Sequence, residues 1–165
     1  MKNITINICV ILFSPFVLHG CQGNEQRIRD IVREELASAM QRTAITNANV
    51  IGPYSPAQKI GNFLFVSGQI ALNQKTGILE NEDIETETRQ VLSNLMSILR
   101  EVGFDSSDVI STTVYLKDIA DYSKMNNIYG GYFDESSYPA RVAVQVAALP
   151  RDARVEISAI AYKSK

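Results

Sequence analysis

The C-terminal segment PARVAVQVAALPRDARVEISAIAY, residues 139–162, has the pattern of two β-strands joined by a turn. Apolar residues alternate with other residues over 141–147 and again over 154–162, which is typical of strands with one buried face. Between them, LPRD at 149–152 supplies the proline and aspartate of a tight turn. The first strand begins at Arg141, which places a guanidinium beside an otherwise apolar surface.

Strands and helices are interleaved in the segment before these two strands. Aromatic and β-branched residues predict strands at 62–70 (NFLFVSGQI) and 109–116. Apolar residues spaced by three and four predict a helix over 83–102, with Gly103 as a C-terminal stop, and a shorter helix over 122–133. This order predicts an α+β domain whose two helices lie on one face of the sheet.

The other face of such a sheet has no predicted helix to cover it. Its apolar side chains would remain in contact with water, which is unusual over a large area. We therefore predict that the domain associates with further copies of itself.

Composition excludes several classes of function. The chain has 165 residues and a formal net charge of -2, with mixed signs and no basic stripe, so nucleic acid is not an expected partner. One His and two Cys do not supply a zinc finger or a three-histidine site, so no metal site is predicted. The nucleotide-binding motifs GxGxxG and GxxxxGK[ST] and the hydrolase motifs GxSxG and HExxH do not occur.

Residues 1–20 have the pattern of a secretory leader. A single Lys2 precedes an apolar run that is shorter than a membrane-spanning helix. The run ends in LHGC, which resembles a bacterial lipobox whose cysteine, here Cys21, becomes the lipidated N-terminus. We therefore expect a lipid-anchored protein of the cell envelope with its domain in the periplasm. The alternatives are an uncleaved anchor, a secreted protein, or a cytoplasmic one if the leader is not used.

Residues 21–44 predict a tether that contains a short amphipathic helix. Ile28, Ile31, Val32 and Leu36 follow helical spacing among charged residues. The helix is either a spacer or a small self-association element, since an isolated helix of this length is marginally stable.

Arg141 and Glu156 are the candidate functional side chains. Arg141 either pairs with a carboxylate of the protein at the sheet edge or binds a small carboxylate ligand in a bidentate manner. Glu156, which lies in an apolar strand, is either an ordinary surface group or an acid or base with a raised pKa. In a simple hairpin the two would lie about 14 Å apart along the strands. Either the strands are not neighbours, or two chains form the site.

Several motifs occur together in one order along the chain. They are GPYSPA (52–57), GNFLFVSGQI (61–70), TG (76–77), STTVYLKDIADY (111–122), N..Y..YF (126–133), PARVAVQVAALP (139–150) and VEISAIA (155–161). On these motifs the chain resembles the reactive intermediate deaminase family (RidA/YjgF) over residues 45–163, which places the family domain at 45–165. The resemblance implies a chorismate-mutase-like α+β fold and a homotrimer with ligand clefts between subunits.

The resemblance also implies an activity, the cofactor-independent hydrolysis of enamines and imines. Substrates such as 2-iminopropanoate and 2-iminobutanoate would yield a 2-oxo acid and ammonia. By this resemblance Arg141 holds the substrate carboxylate, Glu156 orients or activates water, and Tyr54 helps to enclose and polarise the site. Backbone groups near Gly68 and Ala143 contact the ligand, and Asn126 lines the cleft.

The alternative function is a non-catalytic, lipid-tethered trimer that binds small carboxylates or partner proteins through the same clefts. The presence of both Arg141 and Glu156 favours the enzyme, because a carboxylate binder needs only the arginine. The family often has Cys at position 143, where Ala143 offers no thiol.

Overall fold

The computed structural model describes residues 15–46 and 48–164, with side chains from residue 24 onward. It divides into two units at residue 40. Residues 1–14 of the predicted leader and the side chain of Cys21 lie outside the described part. Leader cleavage and lipidation therefore stay predictions.

The described part of the first unit contains the helix α1 (Pro15–Ala39). It is longer than the short helix predicted within 21–44. Its apolar residues Ile28, Ile31 and Leu36 are exposed, and an ion pair of 2.6 Å between Arg29 and Glu25 supports the helix surface. Among the described residues, no helix has the length and apolar content needed to cross a membrane.

The second unit is an α+β domain with one six-stranded sheet in the order β1-β2-β3-β6-β4-β5. The β4–β5 pair is parallel, and the other neighbours are antiparallel. The predicted α+β fold, with two helices against one face of the sheet, is confirmed. The strands are β1 (Arg42–Ile45), β2 (Ala57–Ile60), β3 (Phe63–Gln69), β4 (Val109–Leu116), β5 (Ala140–Gln145) and β6 (Val155–Tyr162), and the helices are α2 (Ile84–Glu101) and α3 (Tyr122–Gly130).

Helix α2 supplies most of the helical contribution to the core. Asp83 caps it by accepting a hydrogen bond of 2.7 Å from the backbone N–H of Thr86. The helix ends before Gly103, whose φ of +78° is the left-handed conformation that glycine adopts most readily. Its buried face includes Val91, Leu92 and Leu95, which pack in the same cluster as the inner residues of β3, β4 and β6.

A buried carboxylate joins α2 to the start of β6. Glu87 Oε2 accepts a hydrogen bond of 2.8 Å from the backbone N–H of Arg154, and Oε1 lies 3.3 Å from Arg154 Nε without a hydrogen bond. Burial raises the pKa of Glu87, and this effect outweighs the hydrogen bonds and the Arg154 charge that oppose it. The contact fixes the beginning of the strand that carries Glu156.

The order of the last two strands shows that they are not neighbours, which is the first of the two alternatives that the sequence left open. β5 and β6 do not form a hairpin, because β4 pairs with both of them and lies between them. The chain passes from β5 to β6 through a turn in which Arg151 and Asp152 have φ values of 55° and 62°. β5 is therefore an edge strand.

The sheet face opposite the helices, here called the open face, carries large apolar side chains. Phe65, Val142 and Tyr162 are 44%, 56% and 39% exposed, and the Phe63 ring lies 5.0 Å from that of Tyr162. The predicted uncovered apolar surface is confirmed. A face of this kind is typical of a protein–protein contact.

Candidate active site

Helix α3 and the start of β5 hold Arg141 in a defined position. Tyr122, Asn126 and Tyr129 are spaced by four and three residues, so they share one face of α3. Arg141 Nη2 donates a hydrogen bond of 3.1 Å to the Tyr122 hydroxyl, and its guanidinium lies 4.5 Å from the centre of the Tyr129 ring. A buried hydrogen bond of 2.7 Å to Thr112 fixes the Tyr129 hydroxyl.

A pocket of about 500 Å³ opens beside this guanidinium. Tyr138 and Ala143 line it together with the α3 residues, and we call it the Arg141 pocket. Within the described part of the chain, Arg141 forms no ion pair with a carboxylate. Its positive charge is therefore free to bind an anionic ligand, and the interpretation of a structural ion pair is not supported.

The tyrosines of this pocket differ in their acidity. The hydrogen bond from the Asn126 side chain, followed by the Arg141 charge, holds the pKa of the Tyr122 hydroxyl below its ordinary value. Burial raises the pKa of Tyr129. Asn126 Oδ1 is buried and accepts no hydrogen bond. The pocket thus combines a cation with tyrosine and asparagine side chains.

Glu156 lies on β6 between the buried Val155 and Ile157, with its carboxylate against Gly68. A Cβ atom at Gly68 would lie only 1.8 Å from Glu156 Oε1, so the close approach requires glycine. The register between β3 and β6 shifts between Val66 and Gln69, which places Gly68 at this point. Burial raises the pKa of Glu156, which agrees with one of the two interpretations that the sequence left open for this residue.

Tyr54 lies close to the same part of β3. With Gly68 it lines a small cavity of about 20 Å³ between β3 and the preceding loop. Ser67 holds that loop in place, since its hydroxyl donates to Ser55 O at 2.8 Å and its N–H donates to Pro56 O at 2.9 Å. Tyr54, Gly68 and Glu156 together are called the Glu156 half-site below.

The Arg141 pocket and the Glu156 half-site lie on opposite faces of the sheet. Arg141 pairs with Thr112 of β4, and Glu156 pairs with Tyr115. Paired residues share a face, whereas residues three apart on one strand point to opposite faces. Thr112 is buried under α3, so Arg141 is on the helical face and Glu156 is on the open face. One chain does not bring the two groups to the same small ligand.

Comparison with known proteins places this fold and these residues in a family. The sequence model described as "Endoribonuclease L-PSP" matches residues 44–163, more than half of the chain. The chain belongs to the endoribonuclease L-PSP family, also called the RutC/RidA family. A RutC family protein of Pyrococcus horikoshii is 57% identical over 113 residues, which cover 68% of this chain and 89% of that protein.

Two further relatives carry more specific descriptions. The human 2-iminobutanoate/2-iminopropanoate deaminase is 42% identical over 129 residues, covering 76% of this chain and 93% of that protein. The crystal structure of E. coli TdcF with bound serine is 37% identical with a TM-score of 0.70, covering 74% of this chain and 99% of that one.

The predicted site residues of this L-PSP family chain fall into the two groups. Arg141, Asn126 and Ala143 line the Arg141 pocket. Tyr54 and Gly68 share the small cavity, and Gly68 contacts Glu156. In the described part of the chain, no group of three or more His, Cys, Asp or Glu residues could hold a metal ion.

The sequence analysis did not identify three residues that line the Arg141 pocket. They are Tyr122, Tyr129 and Tyr138. The spacing of Tyr122, Asn126 and Tyr129 on a predicted helix was a usable signal, because it places all three on the same side. Tyr138 precedes the strand that carries Arg141 and had no comparable pattern.

Proposed function

We propose that this protein hydrolyses small 2-imino or 2-enamino acids, such as 2-iminobutanoate and 2-iminopropanoate, to the 2-oxo acid and ammonia. The Arg141 pocket is the observation that carries the proposal. It holds a guanidinium between two tyrosines, with no ion-paired carboxylate among the described residues, in a space suited to a small anion. The human relative named as a deaminase of these imines supports the same substrate class.

The reaction requires water to attack the C=N carbon of the substrate. Its oxygen bonds to C2 as the C=N π bond opens, and the nitrogen receives the proton that water gives up. The nitrogen then receives the proton of the carbinolamine hydroxyl, the C–N bond breaks, the C=O bond of the 2-oxo acid forms, and ammonia leaves. An enamine substrate first becomes the imine by moving an N–H proton to C3. Glu156 is suited to take the proton from water and deliver it to nitrogen, because burial brings its pKa closer to neutral pH. An imine carbon is already electrophilic, so positioning and proton transfer supply the catalysis without a cofactor.

We propose that the complete site forms between two copies of the chain in a homotrimer. Glu156 lies on the open face, where Phe65 and Tyr162 are exposed. Exposed apolar side chains of this kind are typical of a surface that binds another subunit. Arg141 lies on the edge strand β5, where a neighbouring subunit can approach its pocket. Contact between the open face of one subunit and the β5 edge of the next would join the two halves that one chain keeps apart.

The second candidate is a trimer that binds small carboxylates without turnover. It is favoured by the separation of Arg141 from Glu156 within one chain, because binding a carboxylate needs only the Arg141 pocket. A nucleic-acid substrate is not proposed, despite the family's descriptive name, since 18 acidic residues outnumber 16 basic ones.

Replacing Arg141 by alanine distinguishes the two candidates. We expect wild type to accelerate hydrolysis of freshly generated 2-iminobutanoate, and Arg141→Ala to lower kcat/KM by about 100-fold, because it removes a charge-assisted bidentate contact. Ammonia release gives the rate. Arg100→Ala, on α2, is the control and should retain wild-type activity. Equal rates for wild type and Arg141→Ala, or no acceleration by wild type, would favour the binding protein.

The location of the protein is a separate proposal. The apolar leader and the LHGC sequence ending at Cys21 support a lipid anchor and a periplasmic domain. The mass of the mature N-terminus, with or without lipid on Cys21, distinguishes this from a secreted or cytoplasmic protein.

A further inference from the structure

The Tyr122 hydroxyl in the Arg141 pocket has an unusual hydrogen-bond arrangement. Its oxygen accepts a hydrogen bond of 3.1 Å from Arg141 Nη2. A phenolic oxygen has two acceptor positions and one proton to donate. Because Arg141 donates to this oxygen, the hydroxyl proton points away from the guanidinium.

Tyr122 lines the pocket and is 36% exposed, so that proton can reach a bound molecule. A ligand oxygen that accepts from Arg141 Nη2 lies close to the Tyr122 oxygen, since the two protein atoms are only 3.1 Å apart. One carboxylate can therefore accept from both groups at once.

We infer that Tyr122 is a substrate-binding residue whose hydroxyl donates a hydrogen bond to the carboxylate held by Arg141. This inference rests on the proposed function, which supplies the ligand class.

A different role for Tyr122 would be only to orient Arg141. The two roles respond oppositely to pH. An ionised phenolate is a stronger acceptor for Arg141 but has no proton to donate. A donating Tyr122 therefore loses its contact with the ligand as pH rises through its pKa, whereas an orienting Tyr122 does not.

Two other tyrosines face the pocket and bear on how ligand binding depends on pH. Burial raises the pKa of Tyr129, whereas that of Tyr122 is lowered, so Tyr122 ionises first of these two. Tyr138 faces the same pocket from the segment before β5 and is present in every variant compared.

The test measures 2-oxobutanoate binding to the full-length protein by calorimetry between about pH 7 and pH 10. This 2-oxo acid carries the substrate carboxylate but has no imine to hydrolyse. We expect Tyr122→Phe to weaken binding at pH 7 by about tenfold, because it removes one hydrogen bond to a charged group. Wild-type affinity should fall toward that of Tyr122→Phe as pH rises, while the variant changes little.

Tyr132→Phe is the matched control. Its hydroxyl donates to Arg89 O at 3.1 Å, outside the pocket, so binding should follow wild type at every pH. Wild-type affinity of Tyr122→Phe at pH 7, or an identical pH dependence of wild type and Tyr122→Phe, would overturn the inference. If wild type and Arg141→Ala bind 2-oxobutanoate equally weakly, the proposed carboxylate site itself is wrong.

Discussion

Replacing Glu156 by glutamine is expected to lower kcat for 2-iminobutanoate by about 10² to 10⁴-fold while leaving 2-oxobutanoate binding unchanged. Glutamine keeps the size of the side chain against Gly68 but cannot take a proton from water. Ammonia release at saturating substrate measures kcat, and calorimetry measures binding. Glu135→Gln, which changes an exposed glutamate, is the control and should keep wild-type kcat.

The pH dependence gives an independent readout for Glu156. Burial raises its pKa above the ordinary 4.5, and a catalytic base works only when ionised. Wild-type kcat/KM should therefore fall as pH decreases through this raised pKa.

The contribution of Glu156 to the free energy of unfolding changes with pH in the opposite direction to kcat/KM. A carboxyl with a raised folded-state pKa stabilises the protein less as pH rises, since the fold disfavours its charge. Glu156→Gln should thus be at least as stable as wild type at neutral pH.

A kcat of Glu156→Gln within twofold of wild type would contradict the catalytic role of Glu156.

Replacing Gly68 by alanine is expected to reduce kcat by about 100-fold, because the added Cβ would lie 1.8 Å from Glu156 Oε1 and 2.7 Å from its Cδ. The carboxylate must then move away from its catalytic position. Binding of 2-oxobutanoate should persist, since the Arg141 pocket holds its carboxylate and Gly68 does not line that pocket. Steady-state ammonia release and calorimetry measure the two effects separately.

A second glycine and a double variant control this experiment. Gly131→Ala meets its nearest atom, Ile128 O, at 3.5 Å, which is an ordinary contact, and should leave kcat unchanged. If Gly68→Ala acts by displacing Glu156, it should have almost no further effect on kcat in a Glu156→Ala background. Additive losses of kcat would show that Gly68 acts independently of Glu156.

The strongest periodic patterns in the sequence predicted the elements that form the core. The 109–116 pattern corresponds to β4 (Val109–Leu116), and the 83–102 pattern contains α2 (Ile84–Glu101). The strands β1 and β2 were missed, because each has only four residues and too few alternations to form a pattern. The predicted helix over 122–133 ends at Gly130, consistent with the low helix propensity of glycine.

The sequence alone could not determine how the candidate site is arranged. Both Arg141 and Glu156 were identified from residue chemistry, but their faces depend on pairing with β4, a strand distant in sequence. Strand order is set by contacts across the whole sheet, which local patterns do not contain. The close approach of Glu156 to Gly68 likewise depends on the register shift between β3 and β6.

A mixing experiment tests most directly whether two copies of the chain form each site. Arg141→Ala and Glu156→Gln subunits, each expected to be inactive alone, are unfolded, mixed in equal amounts and refolded, with different affinity tags to isolate the mixed trimers. Each proposed site takes Arg141 from one subunit and Glu156 from the next. It is complete only when the subunit that supplies Arg141 is the Glu156→Gln chain and the subunit that supplies Glu156 is the Arg141→Ala chain. Random assembly makes about one quarter of all sites complete.

We therefore predict that the refolded mixture, before the tags separate it, regains about one quarter of the activity of wild type treated in the same way, and that the isolated mixed trimers, each with one complete site of three, have about one third of it. Light scattering confirms that the isolated species are trimers, and wild type refolded alone sets the reference rate of ammonia release. If tagged mixed trimers form and wild type recovers its activity, but the mixture remains as inactive as its two parents, the site does not combine Arg141 and Glu156 from different copies, and the account is wrong.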